Sequence, residues 1–182
     1  AAVKAYGEAL RGFLEPDGRL RFHFDPGAGY AYSGDGFILL QFVLEAGLGV
    51  DFLAATQDAV FTPLGMTNTS LQWRADFAAN LADGWMADGA VEPHDERSTP
   101  RAAGSMDTTI TDMGRFAAAY VRGDGLSAAS RAALTSSQLA ITTRSQFPSL
   151  QPELSVGQRR ADLAAGLGVV VFDGPQGRAF FK

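Results

Sequence analysis

The chain contains no cysteine. That excludes disulfides, thiol nucleophiles and cysteine-ligated metals, and leaves the compartment open. Histidine is almost as scarce, with only His23 and His94. Neither has companions at metal-ligand spacing, so no metal is expected, and no cofactor either. His23 reads as a solvated strand residue and His94 as a solvated residue of the charged loop Glu92 to Arg97. Basic clusters are missing: the strongest is Arg159-Arg160 in a chain of net charge −5, which argues against a nucleic-acid partner. No stretch reaches the ~18 apolar residues of a membrane span. The best, Phe37 to Val50, is interrupted by Gln41 and Glu45. Residues 1–14 carry Lys4, Glu8 and Arg11 and are too polar for a signal peptide.

What remains is an ordinary globular composition, 46% hydrophobic and 19% charged over 182 residues. That length is one domain's worth of chain, or a large part of a bigger one, and can bury roughly 70% of its unfolded surface. Arginine in excess of lysine and abundant alanine are consistent with a bacterial source, in cytoplasm or periplasm.

The organising stretch runs from Pro26 to Phe37. It sets Tyr30, Tyr32 and Ser33 among Gly27, Gly29, Gly34 and Gly36, just before the most apolar segment. Glycines there let a ligand or another backbone come close. Two readings stand: a functional loop on a rigid scaffold, or a plain strand-to-helix connection with two half-buried tyrosines.

Around it, Val3, Tyr6, Leu10, Phe13 and Leu14 recur at helical spacing. Leu20, Phe22 and Phe24 alternate with polar residues as in a strand. Phe37–Glu45 is apolar almost all round and predicts a helix buried on most sides. Asp51 caps a second helix to about Val60. Thr109 and Asp112 have capping-box spacing. Ile110, Met113, Phe116, Ala117, Tyr120 and Val121 predict one helix face. Ser127 caps a helix through Leu134. Residues 135–164 show no period and predict a long loop. Leu167–Phe172 and Arg178–Phe181 predict a hairpin. The helices of 1–66 and 109–134 would form a mainly helical lobe.

Three segments carry a resemblance. Tyr32-Ser33-Gly34 within Pro26 to Phe37 resembles the Tyr-x-Asn segment of the serine β-lactamase and penicillin-binding-protein superfamily, closest to its class C and family VIII esterase branch. Gly34 stands where asparagine is usual. Phe61-Thr62-Pro63-Leu64-Gly65-Met66-Thr67-Asn68-Thr69 resembles the family's Phe-x-Pro-Leu-Gly-Met-x-x-Thr signature, here read as structural. Ala103-Gly104-Ser105 with Thr109 and Asp112 resembles a third segment, which in the family lies near the active-site floor. The resemblance implies an α+β fold of β-lactamase/transpeptidase type, a helical lobe plus strands of an antiparallel sheet. It covers the middle of the catalytic domain, so that residues 1–182 are a partial domain.

The implied chemistry is acyl transfer from an ester or amide substrate to a serine. In the family a lysine cation makes a tyrosine oxygen able to take the serine's proton, and the tyrosine then protonates the leaving group. Tyr32 would be that general acid/base, with Ser33, Gly34 and Ser105 at the substrate; Ser105 fits simple packing equally well. The family's Ser-x-x-Lys nucleophile motif is absent: the only lysines are Lys4 and Lys182, and neither has a serine three residues before it. The closing Lys-Thr-Gly or His-x-Gly strand is absent too. Three accounts follow. The favoured one is a segment of a longer hydrolase, its partner being the rest of its own domain. The others are an inactive binding scaffold, and a hydrolase using Ser33 outside any Gly-x-Ser-x-Gly elbow. The missing asparagine amide tilts the substrate toward an ester.

Overall fold

The structure, a computed structural model, describes residues 23–182. The expected first helix and Leu20 to Phe22 of the expected strand lie outside the described residues; His23 and Phe24 form a bend. The chain divides into two compact units. Among described residues, one comprises 34–122 and the other 23–33 with 123–182.

The first unit begins with α1, Gly34–Phe42, which ends in a π-helical turn, Val43–Gly47. Its composition predicted burial on most sides, and the structure corrects this. Only Ile38 and Gln41 are buried, while Leu40 and Val43 are more than half exposed. A segment apolar on every face gives no moment from which a buried side could be chosen, so packing selects one narrow stripe. Helix α2, Phe52–Thr56, starts as expected, with the Asp51 carboxylate accepting from the Ala54 N–H at 2.9 Å. It continues as the wider turn Gln57–Phe61. The helices α1 and α2 with their wider turns are apolar enough to span a membrane only when taken together, and they are bent by 109°. No single described helix is long and apolar enough to do so.

The signature segment is the centre of this unit's core. Phe61, Met66 and Leu71 are buried together, with Phe52, Leu53, Val60, Leu64 and Phe116 packed against them. Each such side chain contributes about 1.5–3 kcal/mol of burial. Pro63 and the left-handed Gly65 (φ 65°) turn the chain so that Phe61 and Met66 meet inside.

Helix α3, Ile110–Arg122, packs on this core by only part of the predicted face, since Met113, Phe116 and Tyr120 turn inward and the other three do not. Ile110 is 88% exposed, and Ala117 and Val121 are exposed as well. The inward stripe instead runs through Asp112, Met113, Phe116, Ala119 and Tyr120. A buried aspartate displaced the reading. Asp112 is 0% exposed and accepts from the Asn68 N–H (2.8 Å), the Thr69 hydroxyl (3.0 Å) and Arg115 (2.5 Å). Its own N–H donates to the Thr109 hydroxyl at 3.3 Å, the capping half of the expected pair. The carboxylate, rather than closing the cap, crosses to the signature segment.

Between these lie a short 3₁₀ turn, Ala75–Asn80, and the antiparallel pair β1, Gly84–Trp85, with β2, Val91–Glu92.

In the second unit, Ser127 caps α4, Ala128–Thr135, as expected, accepting from the Ser130 N–H at 3.1 Å. This helix was expected in the helical lobe, yet it belongs to the sheet unit. Its Leu134 carbonyl accepts from the Leu167 N–H at 3.2 Å. The sheet is antiparallel, ordered β3 (Leu139–Ala140), β4 (Ala164–Ala165), β5 (Val170–Gly174) and β6 (Gly177–Phe181). The predicted hairpin is therefore present but starts at Val170, not Leu167, and turns at Pro175-Gln176. The predicted long loop is mostly irregular, but its ends supply β3 and β4, strands too short to show a period. Val170 and Val171 are the sheet's most buried side chains.

Gly166 sits where helix and sheet touch: a Cβ there would lie 2.9 Å from the Leu134 carbonyl and 3.0 Å from Val171 Cγ1. Gly166→Ala should therefore cost about 1–3 kcal/mol through forced backbone separation, read as a lower thermal midpoint with unchanged expression.

Candidate functional site

The tyrosine loop, up to Ser33, belongs to the sheet unit. Tyr30 and Tyr32 are half-buried and Ser33 is exposed. The Tyr32 ring is fixed on two sides. Phe147 packs at 4.9 Å between centroids, tilted by 53°, and the Lys182 ammonium stands 4.9 Å from the ring centre. Aromatic and cation–π contacts of this kind contribute about 0.5–1.5 kcal/mol each and orient the ring without touching its hydroxyl. The Tyr30 hydroxyl accepts from Gln146 Nε2 at 3.3 Å. Burial pushes the Tyr30 hydroxyl above its ordinary pKa, the Gln146 amide opposes this, and the neighbouring Tyr32 adds to it. Tyr30 thus stays a neutral phenol.

Sequence reasoning missed Gln146 and Phe147 because they sit in a stretch without period. The only signal was a lone large apolar side chain, Phe147, in a polar run. Lys182 was considered only as a member of a motif it does not form.

Gly34 belongs to the helical unit as the first residue of α1. Its φ is not left-handed, and a Cβ built on it would meet only Ala103 Cβ, at 3.7 Å. Asp35 follows in the first turn, its carboxyl raised by burial. Ala103 lies in the 100–105 segment, which carries Ser105. The Ser105 hydroxyl is buried and fully used at home. It donates to the Arg101 carbonyl (2.9 Å) and accepts from the Arg101 N–H (2.8 Å). Both hydroxyl functions hold the loop closed.

Ser105 also borders an open cleft of about 610 Å³ lined by residues 81–84, 91–95, Arg97 and 104–107. In its wall His94 Nε2 pairs with Asp107 Oδ1 at 3.1 Å, and the imidazole packs on Trp73 at 4.7 Å. His94 is nonetheless an exposed residue of its loop, as expected, with these two contacts in addition. Asp107 is fixed by a two-way backbone bridge to Ser70. Among the described residues no group of three or more His, Asp or Glu side chains could hold a metal.

A helical unit, a unit built on an antiparallel sheet and a tyrosine just ahead of the first described helix make an α+β, β-lactamase/transpeptidase-like fold. A model of the beta-lactamase family matches residues 9–182, and the chain belongs to that family of serine hydrolases. A human beta-lactamase-like protein is 33% identical over 100 residues, covering 54% of this chain and 20% of that protein. Among solved structures, a penicillin-binding protein from Bacillus halodurans superposes with a TM-score of 0.66 at 20% identity, over 93% of this chain and 47% of its own. The D-alanine carboxypeptidase AmpC from Burkholderia cenocepacia gives 0.65 at 19%, over 92% and 43%. A D-stereospecific amidohydrolase from Streptomyces sp. gives 0.62 at 19%, over 100% and 54%. At these identities the structures share the fold. The chain spans about half the length of each of these three structures and a fifth of the human relative.

Proposed function

We propose that residues 1–182 are the middle part of a serine hydrolase domain that cleaves an ester or amide through an acyl-enzyme. Tyr32 acts as general acid/base, and the nucleophile lies outside this segment. The observation that carries the reading is Tyr32 itself. It holds the tyrosine place of the family triplet in a chain matched over residues 9–182, with its ring gripped by Phe147 and Lys182.

The Tyr32 oxygen accepts the serine Oγ–H proton as Oγ bonds to the substrate's carbonyl carbon. The same proton passes from Tyr32 to the leaving alcohol or amine as that bond breaks. Water then repeats the cycle and releases the acid. Ser33, exposed beside Tyr32, and Gly34 border the substrate in this reading, and Ser105 keeps the shape of the loop opposite Gly34. The partner of these residues is the rest of the domain together with a small-molecule substrate.

The test is labelling of the full-length protein with a fluorophosphonate. One label outside residues 1–182, with loss of esterase turnover, supports the reading. A label on Ser33 replaces the nucleophile assignment, and a protein that neither reacts nor turns over esters is a binding scaffold.

Gly34 gives a substrate prediction. Its backbone is compatible with a side chain, and the first atom of one would fit. Gly34→Asn restores an amide donor beside the substrate. The ratio of amide to ester turnover should rise about tenfold, the worth of one hydrogen bond of ~1.4 kcal/mol. Paired assays on an ester and its isosteric amide measure this; an unchanged ratio refutes the link between Gly34 and ester preference.

A further inference from the structure

We infer that Gln41 is a positioning residue: its buried amide sets the 100–105 segment against the Gly34 end of α1, and so selects among acyl groups. The functional half of this inference rests on the hydrolase reading above.

Gln41 is 3% exposed on a helix whose other buried side chain is Ile38. Burying a primary amide is unfavourable unless its donors and acceptor are met. Here they are met, by Glu45 one turn on and by two residues far along the chain. Oε1 accepts from the Ala102 N–H at 2.8 Å, and Nε2 donates to the Pro100 carbonyl at 3.2 Å and to Glu45 Oε1 at 3.2 Å. One side chain thus does for Pro100 and Ala102 what a neighbouring strand would do, since that segment is neither helix nor strand.

The rest of the segment is fixed by other means. Ser105 closes it upon Arg101, and its far end is anchored by the Ser70–Asp107 bridge and by His94 on Asp107. Ahead of it Gln72 and Trp73 hold the Ser98 and Arg97 carbonyls, and Gln41 holds the near end itself at Pro100 and Ala102. Gly34, Ile38 and Gln41 stand at i, i+4 and i+7, one face of α1. The residue after Ala102 is Ala103, which a Cβ on Gly34 would touch at 3.7 Å. A shift of the Ala102 N–H therefore changes the spacing between Ala103 and the third place of the Tyr32-Ser33-Gly34 triplet. Placement errors of about 1 Å near a reacting group can cost on the order of a hundredfold in rate.

The test compares Gln41→Met, which keeps size and burial but removes the amide, with Ile38→Val as a control that trims packing on the same face. Both are made in the full-length protein. Amide hydrogen exchange should show Ala102 losing protection in Gln41→Met and not in Ile38→Val. Esters of graded acyl length should show Gln41→Met changing the ratio of kcat/KM between short and long acyl groups roughly tenfold or more, with KM moving as well as kcat; Ile38→Val should leave the ratio unchanged. Gln41→Asn, whose shorter amide cannot span both partners, serves should the methionine variant not fold, and the same two readings apply to it. Unchanged Ala102 protection overturns the clamp. Lost protection with an unchanged acyl ratio overturns the selectivity. If the unaltered protein turns over no ester or amide, the hydrolase reading fails by itself, and with it the selectivity, while the exchange measurement still decides whether Gln41 holds the segment.

Discussion

Tyr32→Phe is expected to lower kcat by roughly 10²- to 10⁴-fold, the usual worth of a positioned general acid/base. The substitution removes one oxygen and nothing else that the structure uses. The contacts that hold this side chain, Phe147 at 4.9 Å and the Lys182 ammonium at 4.9 Å, are made to the ring. Phenylalanine keeps both, so the thermal midpoint should move by little. KM should hold within a few-fold, because a group that acts in the transition state is lost from kcat. Tyr30→Phe is the matched control. It removes a hydroxyl from the same loop, but one occupied by Gln146 and kept neutral by burial. Steady-state kinetics on one ester for both variants decide the matter. Turnover that survives Tyr32→Phe, or falls equally in both, removes Tyr32 from the chemistry.

Asp112→Ala is expected to cost about 3 kcal/mol of stability, because it strips a fully buried acceptor from the Asn68 N–H and the Thr69 hydroxyl at once. Burial alone would raise this carboxyl. The Asn68 and Thr69 donors and the Arg115 guanidinium outweigh burial and hold it below the ordinary aspartate range. The sign of the pH effect follows. A depressed folded pKa means that the carboxylate's contribution is complete above the unfolded value, near about 3.9. It is lost as pH falls through the folded value. Asp112→Asn keeps an acceptor and should cost less at neutral pH. It should also flatten the stability profile below about pH 4, a comparison that urea unfolding at pH 3 and pH 7 provides.

How much of this was legible in the sequence varies with the kind of signal. Caps were legible because they are local: Asp51 and Ser127 each meet an N–H three residues on, and three residues of sequence suffice to see it. The signature segment was legible as a packed turn because proline and glycine fix the backbone between two large apolar side chains. Burial of α1 was not, since its apolar residues point every way and only contact with distant segments chooses Ile38 and Gln41. Asp112 and Gln41 misled for one shared reason. Both are polar residues turned inward, and their partners lie 44 and about 60 positions away. The resemblance pointed to Tyr32 as a candidate, whereas Gln146, which bonds Tyr30, and Phe147 and Lys182, which pack on Tyr32, come from stretches where neither period nor motif speaks.

The anchor at Asp112 also treats its two neighbours unequally. Thr69 offers a side-chain hydroxyl, whereas Asn68 offers only its main-chain N–H, which every amino acid except proline possesses. This anchor therefore excludes only proline at position 68, whereas at 69 it needs a side-chain donor matched to the acceptor at 112. A single carboxylate can in this way leave one letter of a signature unconstrained and bind the next.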